Sequence, residues 1–271
     1  MTSATVVVPA VARPALYQSV GFGNLLLSEW TKLRTLRSNR LSVIVIVLGT
    51  IGLGVFMGAR WAHQHGSLGP GFDATNVSLS GVYLVQILVG VIAAMAISSE
   101  HTTGMIRASF CAVPQRRALI AAKALVVAVA TLVLGEVSCF VAFGSGQALL
   151  AGKHAGVSLA DPGVLSAVFG SGLYLTLVAV LGFGLGTAIR HTAGALAAFF
   201  GVLFAPSALV DLLPTSWRNT VIEYLPANAG SQILTLVHKQ GALSAWAGLG
   251  VFGLYALGAV LAGFALCGRD S

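Results

Sequence analysis

Charge is scarce in this chain. Of 271 residues only 15 are Lys or Arg and 8 are Asp or Glu, 8% together, against 56% hydrophobic residues. A soluble domain carries about one-quarter charged residues. With a mean hydropathy of +0.90, this chain cannot cover a water-facing surface with polar groups, which excludes an ordinary soluble enzyme or binding module. Cysteine is nearly absent as well. Cys111, Cys139 and Cys267 are odd in number and widely spaced, so they form neither a disulfide framework nor a thiolate metal site. Glu136 is the one carboxylate well inside an apolar run, with no histidine–carboxylate cluster and no nucleophile motif, which argues against a membrane-embedded enzyme. Phosphate-loop chemistry is missing too. Gly152-Lys153 has its upstream glycine, Gly146, at the wrong distance, and His154 stands where Ser or Thr is required.

What remains is a polytopic membrane protein. Six apolar stretches, at about 41–59, 80–97, 118–150, 164–189, 193–213 and 243–267, each approach the ~20 residues that cross a hydrocarbon core. The third is long enough to tilt or to project into water. The fourth and fifth are separated only by Arg190-His191-Thr192, which predicts a tight hairpin. The chain is expected to be all-α: a cytoplasmic tail over 1–20 and one membrane domain over 21–271. The tail has no basic cluster ahead of its apolar residues and is interrupted by Pro9 and Pro14, unlike a cleaved signal peptide.

The basic residues set the orientation. Lys32, Arg34, Arg37, Arg40, Arg107, Arg116, Arg117, Lys123, Arg190 and Arg269 fall on one side, and Arg60, Lys153, Arg218 and Lys239 on the other. The richer side is the cytoplasmic one, so both termini are expected in the cytoplasm. A net charge of +7 then serves orientation and anionic headgroups rather than nucleic acid.

Three polar segments stand out. Phe22, Leu26, Trp30 and Leu33 make one helical stripe over 22–40, with Glu29, Lys32 and Arg34 off it, as in a helix lying at the membrane interface. Between the second and third stretches lies Ser98-Ser99-Glu100-His101-Thr102-Thr103-Gly104-Met105-Ile106-Arg107, continuing to Pro114-Gln115-Arg116-Arg117. Thr103 and Gly104 turn the chain, and 105–111 is expected to form a short helix. Its Met105, Ile106 and Phe110 offer apolar side chains in a hydrophilic loop, which suits a groove on a partner; a solvated connector at the headgroups is the plainer reading. The segment 211–241 is too apolar for a free loop and too interrupted to span, so re-entrant or interfacial helices are expected there.

Other motifs carry plainer readings. Gly248-Leu-Gly250-Val-Phe-Gly253 matches a dinucleotide fingerprint but sits inside a predicted span, where it reads as small-residue helix packing. Gly54 with Gly58, and Gly182 with Gly186, read the same way. His63 and His65 lack a third ligand nearby, and no metal is expected. Glu136 either serves a transport pathway or turns inward and bonds a neighbouring helix; the sequence favours neither.

The three segments, in order, resemble the permease subunits of ABC-2 type ATP-binding cassette exporters. Ser28-Glu29-Trp30-Thr31-Lys32-Leu33-Arg34-Thr35-Leu36-Arg37-Ser38 resembles that family's elbow helix. Glu100-His101-Thr102-Thr103-Gly104-Met105-Ile106-Arg107, followed by Pro114-Gln115-Arg116-Arg117 and Lys123, resembles its coupling helix, although Met105 stands where Thr is common. Tyr224-Leu225-Pro226-Ala227-Asn228-Ala229-Gly230 resembles a loop common before its last span. The resemblance implies a permease with no catalytic residue, no metal and no cofactor of its own. ATP would be bound by a separate ABC ATPase subunit that receives the coupling residues Glu100, Thr103, Gly104, Met105, Ile106, Arg107, Phe110, Pro114 and Arg117. It further implies pairing with a second permease chain, identical or similar, in a bacterial cytoplasmic membrane. The elbow residues would be Glu29, Trp30, Lys32, Leu33 and Arg34. Apolar spans with few charges suit a hydrophobic or amphipathic cargo such as a drug, antibiotic or lipid. An ATPase-independent transporter, which would place charges or broken helices at matching positions of two halves, and a membrane anchor or immunity protein are the competing readings. Glu136 and Pro206 do not match in that way.

Overall fold

The computed structural model describes residues 21–35, 37–64, 72–105, 115–152, 155–212, 214–237 and 242–267. Every regular element among them is a helix. A first helix, α1 (Phe22–Thr35), leads into α2 (Arg37–Gln64). The junction is closed by side chains: Asn39 Nδ2 donates to the Leu33 carbonyl at 3.2 Å, and Arg40 Nε to the Arg34 carbonyl at 3.2 Å. The last carbonyls of a helix have no intrahelical partner, and these two donors supply one.

A short α3 (Ala74–Ser78) follows, and then α4 (Gly81–Thr102), α5 (Arg116–Ala151), α6 (Val164–Ile189) and α7 (Thr192–Leu209). The external segment predicted as re-entrant or interfacial holds α8 (Thr215–Tyr224), α9 (Pro226–Ser231) and two 3-10 turns, before the closing α10 (Ala245–Cys267). Six of these helices (α2, α4, α5, α6, α7 and α10) are long and apolar enough to cross a membrane. The chain is therefore an all-α, multi-pass membrane protein. The third span has 36 residues, about 54 Å at the helical rise, so it projects well beyond a ~30 Å hydrocarbon core. The fifth is shorter than the apolar run suggests. Pro206 lies inside it, and the helix gives way to a 3-10 turn at Val210.

The hairpin between α6 and α7 forms at Arg190 and His191. Arg190 takes a left-handed conformation (φ 59°), which costs a non-glycine residue about 1–2 kcal/mol. Its guanidinium donates to the Leu266 carbonyl at 2.7 Å, tying the turn to the end of α10.

The α6 helix is the centre of the bundle. It packs against α4, α5, α7 and α10 and buries Tyr174, Leu175, Val178, Leu181 and Phe183. Lipid tails are as apolar as leucine, so close approach rather than hydrophobicity must hold such helices together. Small residues permit it. A side chain at Gly182 would collide with the Gly90 carbonyl, and one at Gly186 would lie 2.5 Å from the Ala94 carbonyl. Gly54 abuts the Ser78 carbonyl and Gly248 the Ala229 carbonyl. Gly248-Leu-Gly250-Val-Phe-Gly253 thus begins at a helix crossing. Buried hydrogen bonds add to this, among them Tyr174 Oη donating to Gln86 Oε1.

At the end of the bundle remote from α1, Asp73 joins distant segments. Its Oδ1 caps α3 by accepting from Asn76 N at 2.9 Å. Its Oδ2 accepts from Thr235 Oγ1 at 2.9 Å and Leu236 N at 2.6 Å. Gln147 on α5 holds α3 from the other side, donating to the Ala74 carbonyl and Ser78 Oγ, both at 3.1 Å.

Candidate functional site

The segment expected to couple begins where α4 ends. The Ser99 carbonyl accepts from Thr103 N at 3.0 Å and from Thr103 Oγ1 at 2.8 Å, and Gly104 N donates to the His101 carbonyl at 3.3 Å. Gly104 then adopts φ 74° in open space. Only glycine takes that region freely, so the helix is ended by the one residue that can turn it there without strain. Met105 follows with 59% of its surface exposed. Thr102 and Thr103 are exposed beside it, and so are Arg116 and Arg117 across the loop. Ile106, Arg107, Phe110 and Pro114 lie outside the described residues, as does the rest of the helix expected over 105–111.

Behind this segment the structure assembles a charge cluster from three elements. Lys123, one turn or two into α5, places Nζ 2.8 Å from Glu29 Oε2 of α1 and 2.6 Å from Glu100 Oε1 of α4. Lys32 adds a second cation, 2.5 Å from Glu29 Oε1. Glu29 is only 3% exposed and Lys123 only 7%. A buried charge is tolerated only when paired and hydrogen-bonded, and here each carboxylate finds an ammonium. Burial would by itself raise the Glu29 pKa. Hydrogen bonds from Lys123 and Lys32, with their positive charge, outweigh it and hold the carboxyl below its ordinary value.

This arrangement fixes which face of α1 packs on the bundle and where Lys123 sits. The stripe of Phe22, Leu26, Trp30 and Leu33 is real, and Phe22 and Trp30 stay exposed at its outer edge. But α1 docks through the neighbouring stripe, where Leu25 packs against Leu119 and Ala122 of α5 and Glu29 reaches Lys123. Lys123 in turn is buried between both carboxylates. Leu33 is half-buried, and Arg34 is exposed. Lys123 was legible as a cation near a span end; that it takes two carboxylates from helices 94 and 23 positions away was not.

Glu136 lies near the middle of α5. Its carboxylate rests on Gly172 of α6: a side chain there would stand 2.5 Å from Glu136 Cδ and Oε1. Both carboxylate oxygens are buried, with no hydrogen-bond partner among the described residues. The structure thus turns the group inward between two spans without giving it the helix-to-helix bond that an inward-facing acid would use. Cys139, the next residue on that face, is a buried free thiol. His63 and His65 lie outside the described side chains.

Among the described residues nothing brings a nucleophile, a base and an oxyanion site to one point. The arrangement presents a braced, exposed turn at one end of a bundle of spans. A family model described as ABC-2 family transporter protein matches residues 25–206, from within α1 to within α7 and so across both the charge cluster and Glu136. The stretch 224–230 and α10 lie beyond it. No curated protein matches the chain.

Proposed function

From the premise that this chain belongs to the ABC-2 transporter family, as an ABC transporter permease, we propose that it is the membrane half of an ATP-driven exporter. In this reading a separate ABC ATPase subunit docks on residues 100–117, and a second permease chain, identical or closely similar, completes the pathway. ATP-driven closure of the ATPases displaces the docked segments, and rigid-body motion of the packed helices opens the pathway outward. The cargo is a hydrophobic or amphipathic molecule of the drug, antibiotic or lipid class, and the site of action is the bacterial cytoplasmic membrane with both termini inside.

One observation carries this reading. The α4 end breaks at left-handed Gly104 and exposes Met105, while Glu100 just behind is fixed by Lys123. An apolar side chain held out on a braced turn suits capture by a groove; a mere connector would need no bracing. The scarcity of charge inside the spans supports an apolar cargo, and the lone Glu136 makes a poor relay for a self-powered proton-coupled transporter.

Capture of the tagged chain from gently solubilised native membranes tests the reading. A soluble ATPase bearing a phosphate loop is expected in stoichiometric amount, and it should be lost when Met105 and Ile106 are replaced by Asp.

A further inference from the structure

We propose that Lys123 is a positioning residue that makes the α4 end, the α1 helix and α5 a single mechanical unit, so that displacement imposed at residues 100–105 is delivered to α1. This rests on the permease reading above.

Apart from Glu29, α1 is weakly held. Its apolar anchorage is one small cluster, Leu25 with Leu119 and Ala122, flanked by Leu26 and Ala118. It packs mainly on α5, not on α2, the span that it precedes. The polar contact that secures it is Glu29, buried and bonded to Lys123 at 2.8 Å. The same ammonium is bonded to Glu100 at 2.6 Å. Glu100 stands four residues before Gly104, at the base of the exposed turn. A rigid path therefore runs from the turn through Glu100, Lys123 and Glu29 into α1. From there the Asn39 and Arg40 contacts to the Leu33 and Arg34 carbonyls carry it to the first span.

Charge balance explains why one lysine must hold both acids. Glu29 and Glu100 share Lys123, and among the described residues Glu29 alone has a second cation, Lys32. Without Lys123 two carboxylates would face one another in a poorly hydrated space, where like charges repel more strongly than in water. Lys32 is more exposed and, among the described residues, pairs with Glu29 alone. The two halves of the bridge are separable: removing the Glu100 charge leaves α1 docked through Glu29, yet cuts it from the turn.

Nitroxide labels on the full chain can read both halves. With native cysteines replaced by Ala, the pair Thr31→Cys and Gln115→Cys reports α1 docking, and the pair Thr31→Cys and Leu159→Cys reports α1 movement relative to the opposite end. Spectra are taken in phospholipid nanodiscs with the co-purified ATPase, with and without ATP and vanadate. The native cluster should give one narrow docking distance and a nucleotide-driven shift in the second pair. Glu100→Gln should keep the narrow docking distance but lose the shift. Lys123→Met should lose both, and Lys123→Arg should keep both. A Glu100→Gln chain that shifts as far as the native one overturns the proposal alone. A native chain that shows no shift with ATPase bound likewise overturns the proposal, whereas a chain with which no ATPase co-purifies removes the exporter reading on which it rests. Should Lys123→Met fail to insert, Glu100→Gln and Lys123→Arg still decide.

Discussion

At the scale of single residues, two glycines and one carboxylate carry the sharpest consequences. Gly104 turns the chain at φ 74°. A side chain there costs about 1–2 kcal/mol of backbone strain, which reshapes the exposed turn without touching any span. Gly104→Val is expected to insert normally yet lose ATPase coupling; membrane abundance and transport measured together check this. Gly172 is different, because it has no conformational demand and only a spatial one. Gly172→Ala places a methyl group against the Glu136 carboxyl, and overpacking of that kind costs about 1–3 kcal/mol. Neighbouring changes couple, so Glu136→Ala should recover most of the loss, read as the midpoint of thermal inactivation in detergent. Glu136→Gln, which keeps the volume, is expected to leave transport nearly intact. Abolished transport in correctly inserted protein would give its charge a role in the pathway.

Among elements, the spans and their order can be read from hydropathy because lipid imposes length and polarity directly on the sequence. The α6–α7 hairpin and the break after Thr103 are legible for the same local reason: too few residues in one, a glycine in the other. The docking of α1 is not. Its apolar stripe points to an interfacial helix, but which edge faces α5 depends on Lys123, far along the chain, and charges near span ends look alike whether they meet headgroups or carboxylates. The clamp of Asp73 on residues 235–237 escapes sequence reading for the same reason. Glycine spacing announces close helix packing, but not which glycines are used. Gly182 meets the Gly90 carbonyl, while Gly201 and Gly250 face open space. Gly182→Ala should therefore lower the inactivation midpoint, and Gly201→Ala and Gly250→Ala should not. The α1 contact also has a pH sign. Its partners depress the Glu29 pKa in the folded protein, so docking is fully stabilised above the ordinary carboxylate value and weakens as pH falls through the lowered one. The Thr31–Gln115 label distance should stay narrow at neutral pH and broaden on acidification below the ordinary carboxylate range.

For the whole molecule, the bundle divides into a buried axis, α6 with its neighbours, and a basic end where α1, the α4 turn and the α5 entry meet on one lysine. That division suits a machine driven from one end: packed spans move as bodies, and the drive enters at a braced surface.

The most direct test is to identify what co-purifies with the tagged full chain from native membranes under mild detergent. A phosphate-loop ATPase is expected at stoichiometric ratio, retained by the native chain and lost when Met105 and Ile106 are replaced by Asp. A chain that emerges alone from several mild detergents, or an ATPase retained equally by the Asp-substituted chain, would contradict it.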